Sequence, residues 1–425
     1  MTEPADGAPT RVHAERSDLS HVPRGWRLVL IIGGLSIFGP LCIDMYLPSL
    51  PRISRDLHAS TSTVQLSITG CLVGIAVGQL VIGPISDREG RRSPLLVGIC
   101  IFVLSSLACA LVSSIYLLDG FRFAEGFGGA AGIVIARAIV RDLFAGATAA
   151  RFFSTLMLVT GLGPILAPQI GAEILRVTSW RGVFLALAII ASVLLLTALL
   201  KVPETLPLER RRPGGLRSTI RTLSKVGRDR SFVGYALVGS LGFGAIFAYI
   251  AGSPFVLQDI YGLSPQVFGL AFALNAGGLV LGAQINGHLV RRLGSGPLLS
   301  FGLIVMAAGS LTLLGAVCTR WGGLAAVLTS LFVVLFGLGF LNPNAMALAM
   351  QSHPDAAGTA SALFGSAQFL IGAAVAPLVG VAGNHNAIPM GIVMAGLTAG
   401  AVAVRLIVPR SEPSAFVSPD AAPAL

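Results

Sequence analysis

The chain has 425 residues, of which 54% are hydrophobic and only 11% are charged. A soluble globular protein carries charge on about a quarter of its residues. This composition therefore excludes a soluble globular protein and indicates a polytopic membrane protein. The formal net charge is +10, but the basic residues lie in short segments between apolar runs, as in membrane proteins, so we expect no nucleic acid partner.

Twelve apolar runs approach or exceed the ~20 residues that a helix needs to cross a bilayer. They lie at 27–47, 63–85, 95–112, 117–140, 152–174, 181–201, 232–252, 266–289, 297–318, 324–349, 359–382 and 388–408. The expected fold class is therefore an all-α membrane protein with twelve transmembrane helices. An even number of spans places both termini on one side of the membrane.

The basic residues indicate which side that is. With both termini in the cytoplasm, most of the 29 Lys and Arg fall in inner segments, which satisfies the positive-inside rule. The polar ends, 1–25 and 410–425, are expected to be disordered cytoplasmic tails. We find no apolar signal core in the first of them and expect no cleaved signal peptide.

The chain divides into two similar halves. Segment 202–230 is rich in basic residues, proline and glycine, which is typical of a linker and also compatible with recruitment of anionic lipid. It separates a six-helix bundle at 26–201 from another at 231–409. One constant shift aligns the two halves through these residues: Gly78, Gly83, Arg88 and Gly90 fall on Gly282, Gly287, Arg292 and Gly294. The match indicates an internal repeat.

The loop between the second and third spans contains a dense motif. Its residues are Gly78, Gly83, Asp87, Arg88, Gly90, Arg91 and Arg92. Gly78 and Gly83 are expected to let a neighbouring helix approach closely, and Gly90 to adopt a left-handed turn. Asp87 can accept hydrogen bonds from arginine or from a helix N-terminus, so we expect a conformational latch here.

Charged residues inside spans are costly and usually functional. Asp44 lies in the outer part of the first span, and Arg122 and Glu125 enter the fourth at a similar depth with a spacing that allows them to pair. A carboxylate that is alternately hydrated and screened beside an arginine can exchange a proton, so these residues are candidates for proton coupling. The alternative is that Asp44 caps or hydrates the outer helix end next to Pro48, while Arg122 and Glu125 only hold the fourth span in place.

A second set of residues is expected to line an apolar substrate cavity, although packing is the simpler role for its aromatic members. These residues are Met45, Tyr46, Gln65, Phe243, Phe247, Tyr249, Asn275 and Asn342. By the apolar-run count, spans seven to twelve contain no Asp or Glu, so carboxylate proton chemistry is expected only in the N-terminal half.

The fifth span contains a glycine and proline motif with a counterpart in the eleventh. Gly163 and Gly171 are expected to give a smooth surface to a partner helix, while Pro164 and Pro168 remove backbone donors and bend the span. Pro377 is the repeat mate of Pro168 and is expected to bend the eleventh span. Pro343 is expected to break the tenth.

These motifs resemble those of a known family. The loop motif resembles the loop 2–3 signature of the major facilitator superfamily of secondary transporters. Segment 43–51, the Arg122-x-x-Glu125-Gly126 pattern and segment 137–142 resemble the bicyclomycin and chloramphenicol resistance family of drug:proton antiporters. The fifth-span motif is similar to one associated with antiporters. Glu125 stands where relatives often have glutamine, which leaves the number of exchanged protons open, and Gly171-Ala172 replaces a double glycine.

The resemblance implies two pseudo-symmetric six-helix bundles that alternate access to a central site. It implies export of small hydrophobic or amphipathic drug-like compounds in exchange for protons, across the bacterial cytoplasmic membrane, by a monomer. Protons are the expected coupling ion, with no metal or other cofactor and no enzyme activity.

Two other functions remain open at this stage. Proton-coupled uptake or export of a metabolite is compatible with the same fold. A membrane enzyme or redox subunit would need a metal, haem or nucleophile constellation, and the histidines are scattered without paired spacing. The cysteines, which lie in or beside apolar runs, are expected to be small packing residues: Cys42, Cys71, Cys100, Cys109 and Cys318.

Overall fold

The computed structural model describes residues 26–144, 146–211, 216–353, 356–383 and 385–408. Within these ranges the chain is helical and has no strand. The α-helices are α1 (Trp26–Ser36), α2 (Phe38–Asp44), α3 (Leu50–Asp56), α4 (Thr61–Glu89), α5 (Arg92–Leu111), α6 (Ile115–Leu143), α7 (Gly146–Val177), α8 (Trp180–Lys201), α9 (Leu216–Val226), α10 (Arg230–Pro254), α11 (Pro265–Leu293), α12 (Ser295–Thr319), α13 (Gly323–Met350), α14 (Ala357–Val375) and α15 (Ile388–Ile407). The predicted tails lie outside the described residues.

Ten membrane-spanning candidates, by length and apolar composition, occur in the described part of the chain. They correspond to ten predicted spans: α4, α5, α6, α8, α10 with its π-helical extension to Ile260, α11, α12, α13, α14 with its 3₁₀ extension to Gly380, and α15. The fifth predicted span corresponds to α7, which has 32 residues. The first is divided between α1 and α2. The predicted all-α fold class is confirmed.

The first span is interrupted twice. A break at Ile37 separates α1 from α2, and a 3₁₀ turn at Leu47–Ser49 separates α2 from α3. Pro48 and Pro51 lie at the beginnings of the turn and of α3, where a missing backbone N–H costs nothing. Asp44 is consequently the last residue of a short helix.

The predicted repeat extends into the backbone. Ser60 caps α4 by accepting a hydrogen bond from the Thr63 N–H, and Ser264 caps α11 in the same way from Val267. At the other ends of these helices, Gly90 and Gly294 have φ values of 100° and 76°. A β-carbon would be strained at either glycine. The two corresponding helices therefore begin with the same serine cap and end at a glycine with positive φ.

The two halves meet along two helix pairs, α4 with α14 and α7 with α11. Within the first half, α6 packs between α4 and α5. Within the second, α13 packs between α11 and α12. The interface between the halves therefore runs along α4 and α7 on one side and α11 and α14 on the other.

The predictions made for the prolines and for the linker agree only in part with the structure. Pro343 does not break its span, because α13 is continuous through it, and α7 is likewise continuous through Pro164 and Pro168. Pro377 does mark a change, since α14 ends at Val375 and a 3₁₀ turn follows at Ala376–Gly380. The predicted linker contains an unexpected helix, α9.

Candidate functional site

A buried ion pair lies inside the first half, on α6. The Arg122 guanidinium donates a hydrogen bond through Nη1 to Glu125, and both side chains are fully buried. Nη2 donates to the Cys42 carbonyl oxygen at 2.6 Å, which connects α6 to α2. The second oxygen of Glu125 accepts a hydrogen bond from Ser106 Oγ on α5 at 2.7 Å. The pairing expected from the spacing of Arg122 and Glu125 is present.

Aromatic rings enclose the same guanidinium. The Tyr46 ring centroid lies 4.2 Å from the Arg122 guanidinium carbon, and the Phe184 centroid lies 5.7 Å away, so the cation rests against π-faces. The Tyr46 hydroxyl is 3.2 Å from Ser67 Oγ on α4. Arg122 Nε is buried without a hydrogen-bond partner among the described residues.

Asp44 is only 4% exposed at the end of α2. Among the described residues its carboxylate makes no ion pair, because Arg122 pairs with Glu125 and reaches α2 only at the Cys42 backbone. Arg122 thus contacts the backbone two residues before Asp44, but the two side-chain charges do not pair. The proton-coupling role expected of Asp44 stays a prediction.

Asp119 also belongs to this region, although it was not predicted as a site residue from the sequence. It lies on α6 one turn before Arg122, and its Oδ1 atom is buried without a hydrogen-bond partner in the described residues. It falls inside the predicted span 117–140. A complete count of acids within the predicted spans would have found it.

Hydrogen bonds between the halves close the end of the molecule that contains Pro48. The donors on α4 are Ser62, Gln65 and Thr69, and the donors from the second half are Gln258 and Gln266. Gln65 Nε2 donates to the Ala251 carbonyl at 2.8 Å, and Thr69 Oγ1 to the Ala373 carbonyl at 2.8 Å. Ser62, Gln258 and Gln266 donate to the carbonyls of Pro377, Pro48 and Ala172. We call these five donors the inter-half seal.

At the opposite end, which contains Arg91, a cavity of about 620 Å³ lies between α4, α6, α9 and α14. Its polar lining includes Gln79, Asp87, Arg91, Arg141 and Asp142. The molecule is therefore closed at its Pro48 end and hollow at its Arg91 end.

The residues expected to line a substrate cavity do not line this one. Six of them are buried in packed regions: Met45, Tyr46, Gln65, Phe247, Tyr249 and Asn275. The Phe243 ring packs against Phe247 and Phe369 with centroids 5.2 and 5.8 Å away. Asn275 donates to the Tyr249 hydroxyl at 3.3 Å, and Gln368 donates to Asn342 at 2.6 Å. These positions are packed in this structure, and their role as a substrate surface stays a prediction.

The loop motif forms a latch with Arg91 at its centre. Arg91 Nη1 donates to Asp87 at 2.5 Å and to Ser86 Oγ at 2.8 Å, and Nε donates to Asp142 on α6 at 2.8 Å. Burial lowers the pKa of Arg91, but the carboxylates of Asp142 and Asp87 outweigh this and raise it. Arg88 is exposed beside Glu89 and takes no part in these contacts.

Glu204 of the linker holds the same loop. It accepts hydrogen bonds from the backbone N–H groups of Arg91 at 2.8 Å and Arg92 at 3.2 Å, at the beginning of α5. Gly90 must remain a glycine here, because it has positive φ and a β-carbon would strike the Glu204 carboxylate. Neither Glu204 nor Asp142 was predicted as a latch partner.

The glycines of the motifs differ in how tightly they pack. A β-carbon on Gly78 would lie 2.5 Å from Ala130 Cβ of α6, whereas one on Gly83 would meet nothing closer than 3.9 Å. The predicted close approach of a neighbouring helix is therefore confirmed at Gly78, whereas the same prediction was wrong at Gly83. On α7, a β-carbon at Gly163 would lie 2.5 Å from Pro40 Cβ, and one at Gly171 would strike the Met45 carbonyl oxygen. The partner of this glycine face is the first span.

Comparison with known proteins agrees with this architecture. The family model described as Major Facilitator Superfamily matches residues 30–377. The MFS-type transporter YdgK of Bacillus subtilis is 44% identical over 369 residues, covering 86% of this chain and 91% of its own length. The bicyclomycin resistance protein homolog of Haemophilus influenzae is 31% identical over 370 residues, covering 85% and 91%.

A solved structure agrees at the level of the fold. The crystal structure of a D-xylose–proton symporter superposes with a TM-score of 0.71 at 22% identity, covering 90% of this chain and 97% of the symporter. The family match, the relatives and the helical architecture all lead to one assignment, and the resemblance drawn from the motifs is confirmed. The chain belongs to the major facilitator superfamily and is a membrane transporter, not an enzyme.

Proposed function

We propose that this transporter exports small hydrophobic or amphipathic drug-like compounds in exchange for protons. The observation that carries the proposal is the buried Asp44 carboxylate, which has no ion-pair partner in the described residues although a paired arginine lies nearby. The similarity to a bicyclomycin resistance protein homolog supports the choice of compounds and direction.

Asp44 is suited to bind and release a proton because its surroundings differ between conformations. A buried charge without a partner is costly, so the carboxylate favours a bound proton while it is enclosed. Asp44 ends α2 immediately before the 3₁₀ turn that contains Pro48, to which the inter-half seal connects. Opening the seal would expose Asp44 to the outer solution, from which it can take up a proton, and closing the seal would carry that proton into the enclosed state, from which it is released on the cytoplasmic side.

Arg122 and Glu125 have a different role in this proposal. Their charges compensate each other, and Ser106 and the Cys42 carbonyl satisfy further hydrogen-bonding groups. Because Arg122 holds the α2 backbone two residues before Asp44, the pair positions the end of α2. We therefore assign the exchanged proton to Asp44 and a positioning role to Arg122 and Glu125.

Orientation follows from the positive-inside rule. We propose that the Arg91 end and both termini face the cytoplasm of a bacterial cell, with the helices in its inner membrane. The 620 Å³ cavity then opens to the cytoplasm while the inter-half seal closes the outside. The proposed partners are the drug-like compound, protons and the surrounding lipid, and the chain works as a monomer with protons as the coupling ion.

The aromatic and amide residues now packed between helices complete the proposal. When the halves rock apart, the cluster of Phe243, Phe247 and Phe369 supplies an apolar surface, and Asn342 with Gln368 supplies amide groups next to it. Such a surface, apolar with a few polar groups, is typical of sites that bind small drug-like molecules.

The test is drug-dependent proton movement in proteoliposomes. Chloramphenicol-like and cationic compounds are added under an imposed proton gradient to the unchanged protein, to Asp44→Asn, and to a matched control, Glu173→Gln, whose acid is exposed. We expect coupled proton movement in the unchanged protein and the control, and its loss in Asp44→Asn. Coupling that survives in Asp44→Asn overturns the role of Asp44, and accumulation of the compounds inside intact cells overturns export.

A further inference from the structure

Two cysteine thiols face each other where α2 meets α4. Cys42 Sγ and Cys71 Sγ are 3.6 Å apart, and both residues are fully buried. Four residues from each cysteine, Tyr46, just past the end of α2, and Ser67 of α4 make the 3.2 Å hydroxyl contact. The two contacts align the helices face to face, so the thiols are held opposite each other by the surrounding fold.

Apolar packing explains why these cysteines are buried but not why they face each other. A thiol is a weak hydrogen-bond donor and acceptor, so the contact itself contributes little. Two sulfurs bound to one atom at nearly a right angle, with bonds of ~2.3 Å, stand ~3.3 Å apart, so a small rotation of the side chains would let both thiols bind the same atom. The pair is therefore close enough to bind one soft atom through both sulfurs.

The surroundings select the kind of atom. Among the described residues no group of three or more His, Cys, Asp or Glu side chains can hold a metal ion. The described residues therefore do not supply the three or four protein ligands that such a metal ion needs. Mercuric ion bonds two sulfurs in line, which needs them further apart. Trivalent arsenic needs only two sulfurs, holds them at nearly a right angle, and keeps its third bond for its own substituent.

We propose that Cys42 and Cys71 form a dithiol site that binds small trivalent arsenicals. For a methylarsenic dihydroxide, two As–O bonds break and two As–S bonds form. Each leaving hydroxide takes a thiol proton and departs as water, and arsenic stays trivalent. No oxidant or reductant is needed. Because both thiols are buried, binding is slow and requires helix movement.

Occupation of this dithiol site affects the neighbouring ion pair. The Cys42 carbonyl accepts the 2.6 Å hydrogen bond from Arg122, and a β-carbon on Gly126 of α6 would strike the Cys71 carbonyl oxygen. An arsenical bridging the two sulfurs fixes α2 to α4 at the point where both contact α6. Transport is therefore expected to stop when the dithiol site is filled.

The experiment uses purified full-length protein in detergent and monomethylarsonous acid, followed by intact-protein mass spectrometry. The exposed thiols are removed first by Cys100→Ser and Cys318→Ser. This background is expected to take up one methylarsenic per chain over hours. Cys42→Ala and Cys71→Ala are each expected to abolish the adduct, while the matched control Cys109→Ala, which removes another buried thiol, retains it. A dithiol releases the arsenic and an excess of monothiol does not.

Several results would overturn the proposal: no adduct in the background protein, an adduct that persists in Cys42→Ala or Cys71→Ala, or release by monothiol alone. A second probe needs no substitution at Cys42 or Cys71. Dibromobimane becomes fluorescent when it joins two thiols, so the background protein is expected to become fluorescent without dimerising. Absence of that signal after exhaustive labelling also counts against a paired site.

Discussion

Arg122 pairs with Glu125 one turn later on α6, and neither side chain is reached by solvent. Three helices contribute to the arrangement, because Ser106 of α5 donates to Glu125 and the Cys42 carbonyl of α2 accepts from Arg122. A buried pair of this kind adds little net stability over an apolar pair, but removing one partner leaves an uncompensated charge.

Glu125→Ala is therefore expected to be strongly destabilising. It leaves the Arg122 guanidinium buried without its counter-ion, and the cost of such a change is ~3–5 kcal/mol. Thermal unfolding of the purified protein in detergent measures the effect as a large drop in midpoint temperature.

The chain contains a matched control for this prediction. Arg176 and Glu173 on α7 also lie three residues apart and are 3.0 Å apart, but their side chains are 65% and 46% exposed. Glu173→Ala is expected to change stability by no more than ~1 kcal/mol. Equal shifts for Glu125→Ala and Glu173→Ala would show that burial of the first pair does not matter.

Gly171→Ala is expected to reduce the amount of folded protein. The added β-carbon would strike the Met45 carbonyl oxygen, and backbone cannot rotate away as a side chain does. Overpacking of this kind costs ~1–3 kcal/mol or more. Gly161→Ala on the same helix is the control, since its β-carbon would come no closer than 3.8 Å to Val280. Size-exclusion profiles and thermal midpoints compare the two, and similar values would contradict close packing at Gly171.

Much of the fold could be predicted from the sequence because a bilayer imposes a length on each span. The apolar runs anticipated the helices, and the constant shift between halves anticipated the shared devices at the ends of α4 and α11. Pro343 was misjudged because a proline inside a membrane helix can be accommodated by its neighbours. Helix α9 was missed because proline and glycine precede it in a basic segment.

Contacts between helices could not be predicted in the same way. Spacing along α6 predicts that Arg122 can reach Glu125, but the rotation of α2 decides whether it reaches Asp44, and no local pattern encodes that rotation. Glu204 is 113 positions from Arg91, and nothing in the linker sequence indicates the contact. The residues predicted to line the substrate cavity are packed in this structure, and the sequence does not specify which conformation is populated.

Arg91→Ala is expected to loosen the latch. It removes the hydrogen bonds to Asp87, Ser86 and Asp142 and leaves two carboxylates near each other without the cation between them. Each hydrogen bond to a charged group is worth ~1.5–3 kcal/mol, so a clear fall in thermal midpoint follows. Cleavage by a protease in the linker around 202–211 is expected to become faster, because Glu204 loses its well-ordered partner.

Arg88→Ala is the control for the latch. Arg88 belongs to the same motif but is exposed and contacts only Glu89. A change of less than ~0.5 kcal/mol is expected, with no change in the cleavage rate. If Arg88→Ala and Arg91→Ala accelerate cleavage equally, general loss of positive charge explains the effect better than the latch does.

Gln65→Ala is expected to weaken the inter-half seal and favour the conformation that opens at the Pro48 end. The change removes the 2.8 Å hydrogen bond from Gln65 Nε2 to the Ala251 carbonyl, which joins α4 to α10. A hydrogen bond contributes ~0.5–1.5 kcal/mol net, so the open population should rise by about 2- to 10-fold. Hydrogen–deuterium exchange would show this as faster exchange at Phe255–Ile260 and Ala376–Gly380.

Gln351→Ala, at an exposed position after α13, is the control and should leave both segments unchanged. Exchange that is unaffected by Gln65→Ala would mean that the remaining donors hold this end closed without it.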